Sequence, residues 1–518
     1  MAARPTNEVP TAPETRLGPS LTLVVLAAGT GSMTAEIAGA RLLQPFFGSS
    51  SVVWANVIGL VLAALALGYW LGGRIADRHP SRRVLGMILV TAAALVAAIP
   101  FIEKPLLRWA ADSLDSYSAG ETIGSFAAAL VLFAPPVILL GMVPPFVIRL
   151  AVRAVRETGG IAGRVFALST AGSLAGTFLP ALVAIPLLGT QRTLLCAALV
   201  IAAATPLLLG RLALTVSLAV CALIALPPGL VRGGDVVFEG ESRYQYVRVV
   251  EDDGARKLYL NEGIAIHSLW RPHTVLTGGE WDMFLVLPPL LERSVRDVAV
   301  LGNAGGTTAR AYGVFFPRAR IDGVELDPLV SDVGRRYLGL ADNPNLRVVT
   351  ADARPFLRTT SKRYHLILID TYRQPYVPFY LATREFFELV RARLAPGGIV
   401  ALNAATVPGD TRLADDIAGT LATVFPQVLQ WQALRLNQLI VGLQVPRTSA
   451  QLADAATLLP ARIRVLGRLF AAGARPAHPS DDPWTDDRAP VEWVTDRMIL
   501  SYALEGGTAE QEPLPTAP

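Results

Sequence analysis

Four acids and a glycine turn recur between residues 298 and 403 at spacings suited to holding and reacting a small polar ligand. Val298 to Leu301 is a short apolar run that passes into Gly302, Asn303, Ala304, Gly305 and Gly306 and then a helix start at Thr307. Arg320 to Val324 ends in Glu325 and Asp327, Leu346 to Thr350 leads into Asp352 and Ala353, and Tyr364 to Ile369 ends in Asp370. Gly302, Gly305 and Gly306 let a backbone come close to a ligand where a side chain would block it. Glu325 follows the glycine turn by roughly 20 residues, the offset at which an acid accepts hydrogen bonds from ribose hydroxyls. Asp352, with Ala353 beside it, is placed to receive an adenine amino group, and Asp370 faces the reacting part of the ligand. The alternative makes the acids helix N-caps after strands; this suits Asp327 or Asp352 singly, but not the whole set.

Such residues converge only if the apolar runs are parallel strands, because open parallel sheets bind ligands at their carboxyl ends. The expected fold class is an α-helical transmembrane bundle followed by an α/β Rossmann-like domain of the class I methyltransferase type. That domain covers 296–504, and a small β-hairpin subdomain at 230–295 precedes it. The bundle follows from composition. The chain has 518 residues, 17% of them charged, and a mean hydropathy of +0.43. Before residue 230, apolar runs of the roughly 20 residues that cross a bilayer recur about seven times, near 20–43, 51–73, 84–102, 123–148, 165–189, 193–209 and 212–228. The last two are short, and a tight hairpin or a partly interfacial segment suits them equally. Residues 1–19 and 505–518 are polar, Pro-containing and expected to be disordered. The first apolar run is too long for a cleavable signal.

Residues 236–440 resemble the spermidine synthase family of aminopropyltransferases. The resemblance is carried by Ser242-Arg-Tyr244-Gln245, by Lys257-Leu-Tyr-Leu-Asn261-Glu-Gly263, and by Gly279-Glu-Trp281-Asp282 ahead of an apolar helix. Val324-Glu325-Leu-Asp327, Leu368-Ile-Asp370, and Arg384 through Gly398 carry the rest. With the membrane half ahead of it, the chain is similar to a fused transporter-like (MFS-type)/spermidine synthase group of bacterial membrane proteins. The resemblance implies decarboxylated S-adenosylmethionine as co-substrate, Gln245 as a further contact to it, and Asp370 as the catalytic base. Trp281, Asp282, Tyr372 and Gln374 would then contact the acceptor. Three departures stand out. The aspartate of the family's GGGDG loop is Gly305 here, the second aspartate of its DSSDP segment becomes Gln374, and Trp281 and Asp282 replace a Tyr-Gln pair. A dicationic amine wants several carboxylates around it. The nucleoside half of the site is therefore complete, and the acceptor half is altered.

In aminopropyl transfer an amine displaces a thioether at the carbon next to a sulfonium. The amine must be neutral to attack, so Asp370 would orient it and take its proton; a structural cap on the following loop is the other reading of this acid. Two further readings stay open: an S-adenosylmethionine-dependent methyltransferase, and a transporter or sensor whose soluble domain binds a nucleoside or polyamine without catalysis. Arg74, Arg78, Arg82 and Arg83 after the second apolar run, and Arg149, Arg153, Arg156 and Arg164 after the fourth, orient the bundle with those loops in the cytoplasm. Gly72 to Arg78 also resembles the cytoplasmic loop of major facilitator transporters. Seven full spans place the soluble domain outside the cell and six place it inside; a cytoplasmic domain on a bacterial plasma membrane is expected on chemical grounds. Glu36, within the first run, reads either as a proton-coupling or cation-binding site or as half of an ion pair between helices. Cys196 and Cys221 lie in the apolar half, and five histidines show no ligand-like spacing, so no disulfide or metal site is expected. The net charge of +4 is arginine at the membrane flanks, not a nucleic-acid face. The expected partners are the lipid bilayer, a polyamine or other small amine, and a second copy of the chain in a homodimer.

Overall fold

Val298 and Val300 pack into one apolar core, while Ala299 and Leu301 pack into another. Leu366 and Leu368 are divided in the same way from Ile367 and Ile369. Side chains alternate along a strand, so continuous apolar runs of this kind belong to a sheet covered on both faces. The computed structural model describes residues 17–47, 51–114, 120–152, 154–155, 158–225, 235–261, 265–372, 376–504 and 513–515. They fall into two compact units, one made mainly of the chain before residue 231 and one mainly of the chain after it.

The second unit holds the sheet. Strands β1 (Val236–Glu241), β2 (Tyr246–Asp252), β3 (Ala255–Leu260) and β4 (Ile266–Trp270) form a four-stranded antiparallel sheet in sequential order. Asp253 and Gly254, at φ +49° and +67°, supply the two left-handed residues that join β2 to β3 in a tight hairpin. One face of this sheet (Val247, Val249, Leu258, Leu260) packs on Val330, Val333 and Leu338, on and just after helix Pro328–Tyr337.

Eight further strands form the main sheet: β5 (Asp297–Leu301), β6 (Arg320–Glu325), β7 (Leu346–Thr350), β8 (Tyr364–Ile369), β9 (Leu394–Ala405), β10 (Gln427–Gln432), β11 (Asn437–Leu443) and β12 (Arg475–Ala477). Their order is β12-β10-β11-β9-β8-β5-β6-β7; β5 to β9 run parallel, while β10, β11 and β12 pair antiparallel at one side. From β5 the chain winds first towards β6 and β7 and then returns to β8 on the other side. The reversal falls between β5 and β8, where an open sheet of this kind forms its ligand crevice.

In the first unit, six helices are long and apolar enough to cross a membrane: Pro19–Leu43, Trp54–Arg78, Arg82–Glu103, Phe126–Ala151, Thr158–Leu188 and Thr190–Leu209. The expectation of about seven spans is thus corrected to six among the described residues. After Gly210, which turns the chain at φ +77°, the seventh apolar run forms a helix of only 11 residues, Leu214–Ile224. At 1.5 Å per residue this is about half the roughly 30 Å of a hydrocarbon core. Gly172 and Gly176 serve close packing, as small residues do between helices: a Cβ at either would stand 2.4 Å from the Leu26 oxygen or 2.3 Å from that of Thr30. Thr30 and Thr34 donate to the carbonyls of Gly172 and Gly176. Glu36 is partly buried on the first helix, and no ion pair holds it among the described residues. The buried, hydrogen-bonded carboxylate of this unit is Glu103, which accepts from Gln191 and was not singled out from the sequence.

Candidate active site

β5 ends at Leu301, whose carbonyl accepts from the Asp370 N–H at 2.9 Å. The chain must then turn directly beneath the segment that carries Asp370. Gly302 makes the turn at φ +83°, and a Cβ there would lie 2.3 Å from the Asp370 carbonyl oxygen. Gly306, at φ +84°, caps helix Thr307–Phe315. Gly305 answers a different demand. Its N–H donates to the Ser268 hydroxyl at 2.8 Å, and a Cβ would meet Leu338 at 2.4 Å and Ser268 at 2.9 Å. The position is filled by the protein's own packing, so no carboxylate fits there without a shift. Gly305→Asp is therefore expected to lower the melting temperature, since overpacking costs about 1–3 kcal/mol, with no gain in nucleoside affinity. Tighter nucleoside binding by this variant in calorimetry would show that the room exists.

Glu325, buried at the end of β6, accepts from the N–H groups of Ala304 and Asp327, both at 2.9 Å. Burial pushes its carboxyl up to about 7 against the pull of these donors, with the Asp327 charge adding to the rise. Asp327 is the N-cap of helix Pro328–Tyr337 and takes the Ser242 hydroxyl as donor. Since Ser242 also accepts from the Gln245 N–H at 3.1 Å, the turn that carries Gln245 is tied to the end of β6. Asp352 caps helix Ala353–Thr359 through the Arg354 N–H at 2.9 Å, and its other oxygen accepts from the Tyr380 hydroxyl at 2.8 Å. The cap alternative therefore describes Asp327 and Asp352 as they stand in the free chain. Ala353 is buried as the first residue of that helix. The helix is held from behind by Asp486, which pairs with Arg354 and accepts from the Thr383 hydroxyl at 2.7 Å. The Thr485-Asp486 segment thus braces the helix that follows Asp352.

Asp370 follows β8 and accepts from Asn403 Nδ2 at 3.0 Å; Asn403 Oδ1 in turn accepts from Asn437 Nδ2 at 3.0 Å. With its oxygen engaged, the Asn403 amide can present only its NH₂ group to Asp370. Burial raises the Asp370 carboxyl to about 6, and the Asn403 donor opposes the rise. Tyr372 reaches back to donate to the Asn403 carbonyl at 3.1 Å. Its hydroxyl is held far above the ordinary tyrosine range, by burial first and then by the charges of Asp370 and Glu280.

Two expected acceptor contacts, Trp281 and Asp282, are engaged within the protein itself. Trp281 packs into an apolar group with Ala255 and Leu269. Asp282, fully buried, accepts from the Thr277 N–H (2.9 Å), the Thr277 hydroxyl (3.1 Å) and the Gly278 N–H (2.7 Å). Neither side chain is available to an acceptor, because one is committed to packing and the other braces a turn. The residue that sequence reading missed is their neighbour Glu280, whose carboxyl is pushed up to about 8 by burial and then by the charge of Asp370. Gln374 lies outside the described residues.

Residues 281–435 match the spermine/spermidine synthase domain. A probable polyamine aminopropyl transferase of Bifidobacterium longum is 31% identical over 193 residues, 37% of this chain and 42% of that protein. The polyamine aminopropyltransferase of Corynebacterium efficiens is 29% identical over 405 residues, covering 67% of this chain and 75% of the relative. The chain spans about two fifths of the length of the first of these relatives. Among solved structures, a probable spermidine synthase from Corynebacterium glutamicum aligns over 49% of this chain and 98% of its own, at 18% identity and a TM-score of 0.38.

Proposed function

We propose that the chain is a membrane-anchored, spermidine synthase-like aminopropyltransferase that moves an aminopropyl group from decarboxylated S-adenosylmethionine to a polyamine or other small amine. The observation that carries the reading is the arrangement of Glu325, Asp352 and Asp370 after the parallel strands β6, β7 and β8, which lie on the two sides of β5, within a segment that matches the synthase domain. Glu325 would take the ribose hydroxyls and Asp352 the adenine amino group, with Gln245, Gly302, Gly306 and Ala353 around the nucleoside. Asp370 would hold the attacking nitrogen and take its proton. The sulfonium is already a good leaving group, so positioning does most of the remaining work.

Six crossings would put residue 230 and everything after it on the same side as the N-terminus and the two arginine-rich loops. Under the positive-inside rule that side is the cytoplasm, where the nucleoside is made. One observation favours a second reading. The tight packing at Gly305 excludes a carboxylate at that place, where the resembling family holds the aminopropyl ammonium. A methyltransferase using S-adenosylmethionine itself has no need of that acid.

The full chain in detergent, given putrescine and decarboxylated S-adenosylmethionine, should yield the aminopropylated amine and methylthioadenosine. Methyl transfer from S-adenosylmethionine with no aminopropyl product would select the second reading; nucleoside binding with no turnover of any amine would select a sensor. Glu325→Ala and Asp352→Ala are each expected to weaken nucleoside binding roughly tenfold to hundredfold, since each removes an acceptor from a buried polar ligand. Unchanged affinity in both variants would sink the pocket as drawn.

A further inference from the structure

We infer that Glu280 is a second acceptor-binding carboxylate, paired with Asp370 around a single cationic amine nitrogen. This deepens the aminopropyl-transfer reading and rests on it. Placement is the first support. Of the four residues in the short helix Glu280–Met283, Trp281 packs against Ala255 and Leu269, Asp282 is bonded to the 277–278 turn, and Met283 is fully buried in the core. Glu280 alone of the four has no such commitment and is only partly buried, and it lies within electrostatic reach of both Asp370 and Tyr372 on the loop after β8. The three groups come from two separate segments of chain and gather at the end of β8.

The surroundings supply the second support. The titratable groups within electrostatic reach of Glu280 are Asp370 and Tyr372 on the loop after β8 and Asp282 in its own turn, where Arg271 acts on Asp282 and donates to the Thr277 carbonyl; Asn403, against Asp370, is neutral. Among the described residues no cation meets Glu280 or Asp370. Two acids with no countercharge among the described residues are costly to ionise together, and a bound cation relieves the cost. Their titrations, raised to about 8 and about 6, belong to the pair and not to either acid alone. An acid pair of this kind is complementary to an ammonium group.

The chemistry balances. With both acids ionised, the pair binds R–NH₃⁺ and takes one proton from it, leaving a neutral amine. The nitrogen lone pair forms the new C–N bond as the C–S bond breaks, and the bonding electrons pass to sulfur to give a neutral thioether. The product leaves as a secondary ammonium, and the proton on the pair returns to water. Because both acids act on the reacting nitrogen, the pair recognises that nitrogen and not a second ammonium further along the acceptor.

The test uses the full chain in detergent, loaded with decarboxylated S-adenosylmethionine for turnover and with methylthioadenosine for binding. Glu280→Gln should raise the KM for putrescine roughly 10–100-fold with nucleoside affinity unchanged, and Glu280→Asp should recover most of the loss. Wild-type amine affinity should rise as pH increases from about 6 to about 8, and Glu280→Gln should flatten the upper part of that rise. n-Butylamine, which has only one nitrogen, should bind the wild type and lose affinity in Glu280→Gln by a factor similar to that for putrescine. A loss confined to putrescine, or no binding of n-butylamine at all, would overturn the pairing. Wild-type turnover with an unaltered Glu280→Gln variant would overturn this inference and leave the aminopropyl-transfer reading standing; absence of aminopropyl product from the wild type would remove both.

Discussion

Asp370→Asn is expected to keep the fold and the nucleoside affinity while turnover falls by roughly 10²–10⁴-fold, the usual contribution of a positioned general base. The substitution is nearly isosteric and preserves a hydrogen-bonding partner for Asn403, which donates to this side chain at 3.0 Å. What it removes is the capacity to accept a proton. The pH dependence gives an independent reading. A base works ionised, and burial raises the Asp370 carboxyl to about 6, so wild-type turnover at saturating amine should climb as pH rises through that region. Asp370→Asn should lose this limb along with the rate. Product formation measured across pH 5 to 9 checks both points, and full activity in Asp370→Asn would remove the catalytic assignment.

Gly302→Ala should be strongly damaging to the second unit. At φ +83° a non-glycine residue costs about 1–3 kcal/mol. The added Cβ would also stand 2.3 Å from the Asp370 carbonyl oxygen, backbone that cannot swing aside as a side-chain tip can. Overpacking of this kind costs about 1–3 kcal/mol more. Relief by moving the loop would shift Asp370 itself, so the variant should lose turnover as well as thermal stability. Unfolding followed by near-ultraviolet circular dichroism, together with nucleoside affinity, tests this; a melting temperature and affinity equal to the wild type would show that the turn adapts.

The strand-end acids were legible in the sequence because a parallel sheet writes itself in a repeating form, an apolar run closed by an acid. Glu325, Asp352 and Asp370 stand at or just after the ends of β6, β7 and β8, as that pattern requires. Less legible was which of several neighbouring residues faces the ligand. In a single turn of helix the side chains of Glu280, Trp281 and Asp282 point in three directions, and only packing decides among them; the polar pair singled out from the sequence proved to be the two committed elsewhere. Gly305 could be read as a small residue in a ligand loop, but the Leu338 and Ser268 side chains that make it necessary arrive from residues far away in sequence. The last apolar run was short, and the sequence left its crossing open. The chain break at Gly210 and the short helix Leu214–Ile224 reduce it to about half a crossing. The Asp253-Gly254 turn was a signal present in the sequence and not used.

The brace behind the adenine side has a consequence for the order in which the protein is made. Asp486 clamps Arg354 and Thr383, and the Trp484 carbonyl accepts from the N–H of Arg384 at 2.8 Å, at the start of helix Arg384–Arg393. These partners lie about a hundred residues or more downstream of the groups they satisfy. While the ribosome is still adding residues 400 to 480, Arg354 has the Tyr380 carbonyl as acceptor but not yet its ion-pair partner, and the start of helix Arg384–Arg393 lacks the Trp484 carbonyl. Domains emerging from the ribosome tend to fold as units in chain order, but here part of the framework around helix Ala353–Thr359 is supplied only by residues 484–486. A truncation before residue 484 is therefore expected to leave helix Ala353–Thr359 without its brace and to lower the thermal stability of the second unit.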